Sequence, residues 1–90
     1  TFEPVAPERF PAYELGRAAG KAGGTMPATF NAVNEVAVQS FLEGRIRFGR
    51  IAEIIERVLA GQTPTDATSL EAVLAADALG RRKAQEVVCS

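Results

Sequence analysis

The chain contains no histidine and a single cysteine, Cys89. Without histidine there is no Cys/His zinc site and no Ser-His or Cys-His nucleophile, and one cysteine cannot form an internal disulfide. Its 90 residues are also too few for two complete domains. These absences exclude most familiar active-site chemistry and argue against a full-sized enzyme.

An excess of charge of either sign is also lacking. Ten Lys and Arg residues face eleven Asp and Glu residues, and no basic tract is present that could hold a phosphate backbone. No uncharged run approaches the roughly 18 apolar residues that a membrane-spanning helix needs, and the first residues do not form a signal peptide. With 47% apolar and 23% charged residues, we expect a globular chain in water, with no nucleic-acid or membrane partner.

The first ten residues are predicted to form an extended arm or linker, because Pro4 and Pro7 each remove a backbone N–H donor. Residues 11–90 are predicted to form one helical domain. Its first helix opens at Pro11, a favoured place for proline, and ends at Gly23 and Gly24. The arm also carries apolar side chains that we expect to lie against another domain, namely Phe2, Val5 and Phe10.

A second, central helix is predicted to begin after the N-cap Thr25 and to run to about Glu43, stopping at Gly44. At about 100° per residue, one arc of this helix is apolar. The arc contains Phe30, Val33, Ala37, Val38 and Phe41. Asn34 falls in the middle of the arc, with Asn31 and Glu35 at its margin.

These three polar residues allow two interpretations. Magnesium prefers hard oxygen ligands, but one carboxylate (Glu35) and two amides (Asn31 and Asn34) make a poor magnesium site. We therefore favour a structural role, in which the buried amide of Asn34 bonds the backbone of an adjoining loop. An unpaired buried amide costs about 1 to 3 kcal/mol.

The second half of the chain is also predicted to be helical. After a short extended connector over residues 45–48, an apolar stripe of period 3.6 predicts a third helix that ends at Gly61. The stripe consists of Ile51, Ile54, Ile55, Val58 and Leu59. The capping-box spacing of Thr68 and Glu71 starts the last helical region, which we expect to break at Asp77. The sum is an all-α bundle of about four helices.

Three further features have both a functional and a plain interpretation. Gly20, Gly23 and Gly24 lack the spacing of phosphate-binding loops and are interpreted as turn residues. A basic cluster, consisting of Arg45, Arg47 and Arg50, suggests a phosphate pocket or an acidic partner, but a solvated face with local ion pairs is the simpler interpretation. Glu53 and Arg57 have the spacing of an ordinary exposed helix pair.

One stretch carries more information than its chemistry. The run from Asn31 to Glu35 has the sequence Asn-Ala-Val-Asn-Glu, and the connector ending at Phe48 follows it, with Ile51 three residues on. This stretch resembles the C-terminal helical domain of the 1-deoxy-D-xylulose 5-phosphate reductoisomerase family. The resemblance extends from about Phe10 to Val88. It is weaker after Gly61, where the final family helix is matched by Asp77, Arg81 and Ala84, and Gly80 stands where alanine is usual.

The resemblance implies a segment of a larger enzyme. Such enzymes convert 1-deoxy-D-xylulose 5-phosphate to 2-C-methyl-D-erythritol 4-phosphate in bacterial non-mevalonate isoprenoid biosynthesis. They bind NADPH on an N-terminal domain and a divalent metal, magnesium, manganese or cobalt, on a catalytic domain. None of those motifs occurs here, so no catalytic, cofactor or metal residue is assigned. The residues expected to matter structurally are Asn31, Asn34, Glu35, Phe48 and Asp77.

By the same resemblance, the partners are the catalytic and cofactor-binding domains of the same chain. The whole enzyme is expected to be a cytoplasmic homodimer with a V-shaped architecture that this domain helps to hold. The isolated segment is expected to be inactive. The alternative is an independent helical protein-interaction module, which needs a self-sufficient surface without an exposed apolar dock.

Overall fold

The computed structural model describes residues 11–89 as a bundle of α-helices. The four helices are α1 (Pro11–Ala22), α2 (Met26–Leu42), α3 (Arg50–Ala60) and α4 (Leu70–Val88). No strand occurs in this part of the chain, so the predicted all-α class is confirmed. The arm predicted for residues 1–10 lies outside the described residues.

Glycines in the left-handed region end the first two helices. Gly23 and Gly24 follow α1 with φ values of +70° and +55°. Gly44 follows α2 with a φ of +76°. The N–H of Gly44 donates to the carbonyl of Phe41 and that of Arg45 donates to the carbonyl of Ser40, which is a Schellman motif. The predicted ends of both helices are therefore confirmed.

The core is built from α3 and the inner face of α2. The predicted stripe of α3 is confirmed: Ile51, Ile54, Ile55 and Val58 are buried, and Leu59 packs against them. Burying one such side chain contributes about 1.5 to 3 kcal/mol. Gly61 ends the helix, as predicted. The same cluster includes residues of the neighbouring helices, namely Val33, Val36, Ala37 and Ala84.

The predicted core face of α2 is confirmed for Val33 and Ala37, but the observed face is rotated from it by about a quarter turn. The buried residues are Thr29, Ala32, Val33, Val36, Ala37 and Ser40. Phe30 and Val38 pack only at the edge of the cluster, and Phe41 is exposed. No side chain on the buried face is larger than valine, and α4 lies close against this face at Gly80.

Helix α4 is continuous, so the break predicted at Asp77 is wrong. Asp77 does not cap a new helix; its carboxylate binds Arg81 one turn later. Gly80 is buried where α4 meets α2, and a Cβ atom there would lie 3.2 Å from the carbonyl oxygen of Thr29 and 3.3 Å from a methyl group of Val33. The polar interruption in the α4 pattern thus marks a close helix contact.

Two local predictions also need correction. The N-cap of α4 is Ser69 rather than Thr68, and its hydroxyl accepts a hydrogen bond from the N–H of Ala72 at 3.1 Å. Residues 45–48 form bends and turns rather than an extended connector. The N–H of Arg50 donates to the carbonyl of Arg47 there, because the chain reverses direction between α2 and α3.

Thr25 occupies the N-cap position of α2 as predicted, but its hydroxyl does not cap the helix. It accepts instead from the N–H of Thr65 at 3.1 Å, while the N–H of Thr25 donates to the carbonyl of Thr65 at 2.9 Å. Thr25 is only 3% exposed. These bonds clamp the loop between α3 and α4 onto the turn between α1 and α2.

The bundle has two ends. Short turns join α1 to α2 and α2 to α3, and helices that pack side by side after such turns run antiparallel. α4 runs in the direction of α2, since Gly80 meets Thr29 and, further along, Cys89 meets Arg45. The start of α1 at Pro11 therefore points toward the end of the bundle that holds the last turn of α2, which we call the entry end. The opposite end, with the loop over residues 61–69, is the loop end.

Candidate functional site

A bridge of charged side chains joins α2 to α4. The guanidinium of Arg81 donates to Asp77, with Nε 2.6 Å from Oδ1, and to Glu35, with Nη2 3.2 Å from Oε2. The hydrogen bond to Asp77, followed by that to Glu35, raises the pKa of Arg81 above its usual value. All three side chains are at least a third exposed, so the bridge contributes at most about 1 kcal/mol.

Beside this bridge runs a shallow groove of about 470 Å³. Its lining consists of Asn34, Glu35, Val36, Val38, Gln39, Arg81 and Gln85. The one cation in the lining is already matched by carboxylates, and the amides do not titrate. The one carboxylate of the lining, that of Glu35, is bound to Arg81, and the lining contains no Ser, Cys, His or Lys, so the groove is better suited to packing than to a reaction.

The prediction of a buried amide at Asn34 is wrong. Asn34 is half-buried at the rim of the groove, and within residues 11–89 its side chain has no hydrogen-bond partner. Asn31 is exposed on the outer face of α2. Of the polar trio only Glu35 makes a tertiary contact, through Arg81. The quarter-turn error in the predicted core face explains why Asn34 was expected inside.

The residues present do not fit the metal or cofactor of a reductoisomerase. No group of three or more His, Cys, Asp or Glu side chains that could hold a metal occurs in the described part of the chain. Glu35 and Asp77 point at the same guanidinium, and its positive charge opposes that of a metal ion. Gly23 and Gly24 form the turn between α1 and α2, and they lack the spacing of a phosphate-binding loop. No chemical step is assigned to either group here.

The basic cluster consists of residues in local interactions. Arg45 lies 3.9 Å from the carboxylate of Glu43 and donates to Sγ of Cys89 at 3.3 Å. Arg50 lies 3.9 Å from the carboxylate of Glu53 and donates to the carbonyl of Val87 at 3.4 Å. The interpretation of this cluster as local ion pairs is confirmed for these two arginines. Glu53 pairs with Arg50. The predicted pair of Glu53 with Arg57 does not form.

Phe48 lies on the surface at the entry end. It is 68% exposed, and its ring meets that of Phe41 edge to face with centroids 5.5 Å apart. The sequence pattern had placed Phe41 in the interior and Phe48 in the connector. Phe41 belongs to the outer side of α2 because the inner side is filled by small residues.

Sequence reasoning missed two contacts that hold the bundle together. The four-residue spacing of Asp77 and Arg81 could have indicated their pairing. The link from Arg81 to Glu35 has no local signal, since 46 residues separate them. The clamp between Thr25 and Thr65 likewise joins residues 40 positions apart.

No helix among residues 11–89 is long and apolar enough to cross a membrane.

Comparisons with known proteins agree with this architecture. Residues 1–83 match the family described as DXP reductoisomerase C-terminal domain. The 1-deoxy-D-xylulose 5-phosphate reductoisomerase of Nocardia farcinica is 51% identical over 90 residues, covering 98% of this chain and 23% of the relative. That of Citrifermentans bemidjiense is 50% identical over 88 residues, with the same coverage of both chains.

A solved structure shows the same fold. The 1-deoxy-D-xylulose 5-phosphate reductoisomerase from Zymomonas mobilis, determined in complex with NADPH, superposes with a TM-score of 0.92 at 43% identity. The match covers all of this chain and 24% of that one. The chain thus spans less than a quarter of the length of these relatives. On the family match and the shared fold, the chain belongs to the C-terminal domain family of the DXP reductoisomerases.

Proposed function

We propose that this chain serves as the structural C-terminal domain of a reductoisomerase that converts 1-deoxy-D-xylulose 5-phosphate to 2-C-methyl-D-erythritol 4-phosphate with NADPH. The family match over residues 1–83 carries the proposal. It is supported by a groove whose single carboxylate is bound to Arg81 and by the absence of a metal cluster from the described residues. In this division residues 1–10 are the linker and residues 11–90 the domain.

The remaining domains would supply the chemistry. We infer that they bind NADPH and a divalent metal, and that the whole enzyme is a cytoplasmic homodimer. The inference of NADPH is supported by the Zymomonas mobilis reductoisomerase, whose structure is a complex with that cofactor. This chain contributes no catalytic, cofactor-binding or metal residue to the reaction. Its contribution is a rigid helical body on which the other domains rest.

The structural motif then has a defined role within the domain. Glu35 and Asp77 hold Arg81 between them and thereby join α2 to α4. Phe48 packs on Phe41 and shapes the surface of the entry end. Asn31 and Asn34 remain outside these contacts, at the surface and at the groove rim.

A chimera tests the proposal. The C-terminal quarter of the Nocardia farcinica relative is replaced by these 90 residues, and substrate-dependent oxidation of NADPH is followed by its absorbance. At 51% identity over the full exchange, the chimera is expected to be active. The matched control is the same relative with its C-terminal quarter deleted, which is expected to lose activity. A folded chimera that binds NADPH but shows no turnover would contradict the proposal.

A further inference from the structure

Three large apolar side chains are exposed at the entry end of the bundle, and two of them are in contact. Leu42 is 70% exposed, Phe48 is 68% exposed and Phe41 is 36% exposed. The two rings touch each other edge to face, so each covers part of the other and neither enters the core. We call these three residues the entry-end patch.

The internal packing of the domain does not require this patch. The core cluster is closed by Ile51, Ile54 and Ile55 together with the small side chains of α2. Aromatic side chains bury a large apolar area at little cost in conformational entropy, and contiguous exposed apolar residues mark interaction sites. The patch thus has the composition of an interface centre.

Two arginines and one glutamate flank the patch along the chain. Arg45 stands beside it, held by Glu43 and Cys89. Arg47 is exposed and has no ion-pair partner in the described residues. A partner surface that covers the patch is therefore expected to present an apolar pocket. A carboxylate at the edge of that pocket would pair with Arg47.

The position of the patch favours the preceding part of the same chain as its partner. In the relatives this domain is less than a quarter of the chain and belongs at the C-terminus, so most of the protein precedes it. The chain enters the described helices at Pro11, on the side of the entry end. The patch therefore lies at the end of the bundle at which the chain enters the described helices.

We propose that the entry-end patch, with Arg47 at its rim, is the surface by which this domain docks onto the preceding domains of its own chain. The proposal rests on the proposed function and names the surface that does the structural work. Docking at the entry end fixes the angle between the domain and the rest of the enzyme. It also couples their unfolding, because separation would expose the three apolar side chains to water.

The chain offers a matched control at the loop end. Leu70 is 73% exposed and Leu74 is 58% exposed, one turn apart on α4. This pair is as apolar and as exposed as the patch, but lies at the opposite end from Pro11. If exposure of apolar residues alone determined docking, both pairs would matter equally.

The test uses the chimera with the Nocardia farcinica relative. Calorimetric unfolding is measured for the parent chimera, for the double variant Phe41→Ser/Phe48→Ser and for the control Leu70→Ser/Leu74→Ser. The parent and the control are expected to unfold in one transition. The patch variant is expected to show a separate transition for the helical domain and to lose the slow hydrogen exchange of residues 41–48.

Two further variants keep the test valid if the double serine variant does not fold. Phe41→Leu/Phe48→Leu keeps apolar side chains at both positions and is expected to retain the single transition. Arg47→Glu alters only an exposed charge and is expected to lower the transition temperature at low salt, with a smaller effect at high salt. An Arg47→Glu chimera as stable as the parent at low salt would contradict docking through this rim.

Other outcomes would overturn the proposal in distinct ways. Loss of coupling in the Leu70/Leu74 variant alone would place the interface at the loop end. Dissociation of a dimer into monomers by the patch substitutions, measured by sedimentation, would make a second copy the occupant. Calorimetry reads docking independently of turnover, so an inactive parent chimera that unfolds in one transition would refute the proposed function while leaving the docking surface supported.

Discussion

The hydrogen bonds between Thr25 and Thr65, which we call the loop clamp, stabilise the domain by an amount that alanine substitutions at Gly23 and Gly24 can measure. Both glycines have positive φ, and an alanine at either position costs about 1 to 2 kcal/mol for the left-handed backbone. At Gly23 the added Cβ meets nothing within 4 Å. At Gly24 it collides with the carbonyl oxygen of Thr65. The two substitutions therefore share their effect on backbone freedom and differ in their effect on the clamp.

The difference can be worked out from the bonds that the collision breaks. Displacing Thr65 removes its backbone hydrogen bonds to the N–H and to the hydroxyl of Thr25. Each contributes about 1 kcal/mol net, so Gly24→Ala should destabilise the domain by about 2 kcal/mol more than Gly23→Ala. The change in the unfolded chain is the same for both and cancels. For a domain of this size the extra loss lowers the melting temperature by about 10 °C.

Thermal and urea unfolding followed by circular dichroism measures the difference. Thr25→Val supplies a second check, since it removes the hydroxyl that accepts from the N–H of Thr65. It should cost less in the Gly24→Ala background than in the parent, because the bond is already broken there. Equal melting temperatures for Gly23→Ala and Gly24→Ala would refute the reasoning and show that the loop adapts without loss.

Two further predictions concern α2 and α4. Ser69→Ala should lower the free energy of unfolding by about 1 kcal/mol, because the N–H of Ala72 loses its hydrogen-bond acceptor, whereas Thr68→Ala should change it by less than about 0.5 kcal/mol. Urea titrations measure both, and a larger loss for Thr68→Ala would show that Thr68 is the N-cap. Asn34→Ala and the control Gln39→Ala should change the free energy of unfolding by amounts that agree within about 0.5 kcal/mol, since neither amide is buried. A melting temperature of Asn34→Ala clearly below that of Gln39→Ala would show that the Asn34 side chain makes a stabilising hydrogen bond.

The helices themselves follow from local features of the sequence. Pro11, Gly23, Gly44 and Gly61 mark helix boundaries by physical effects that act within a few residues. The stripe of α3 is also local, since one helix face opposite charged residues has a single way to be buried. Membership of the family follows from the run over residues 31–35 and the connector that ends at Phe48.

The tertiary structure decided how the helices face one another. The buried side of α2 depends on where α4 crosses it, and Gly80 allows that crossing to be close. A helix with apolar residues over most of its circumference has several faces that can be buried, so its own pattern could not place Phe41 outside and Ser40 inside. The partners of Arg81 and Thr25 are equally non-local. Residues 40 or more positions apart meet only when the helices have packed, and no local spacing encodes such contacts.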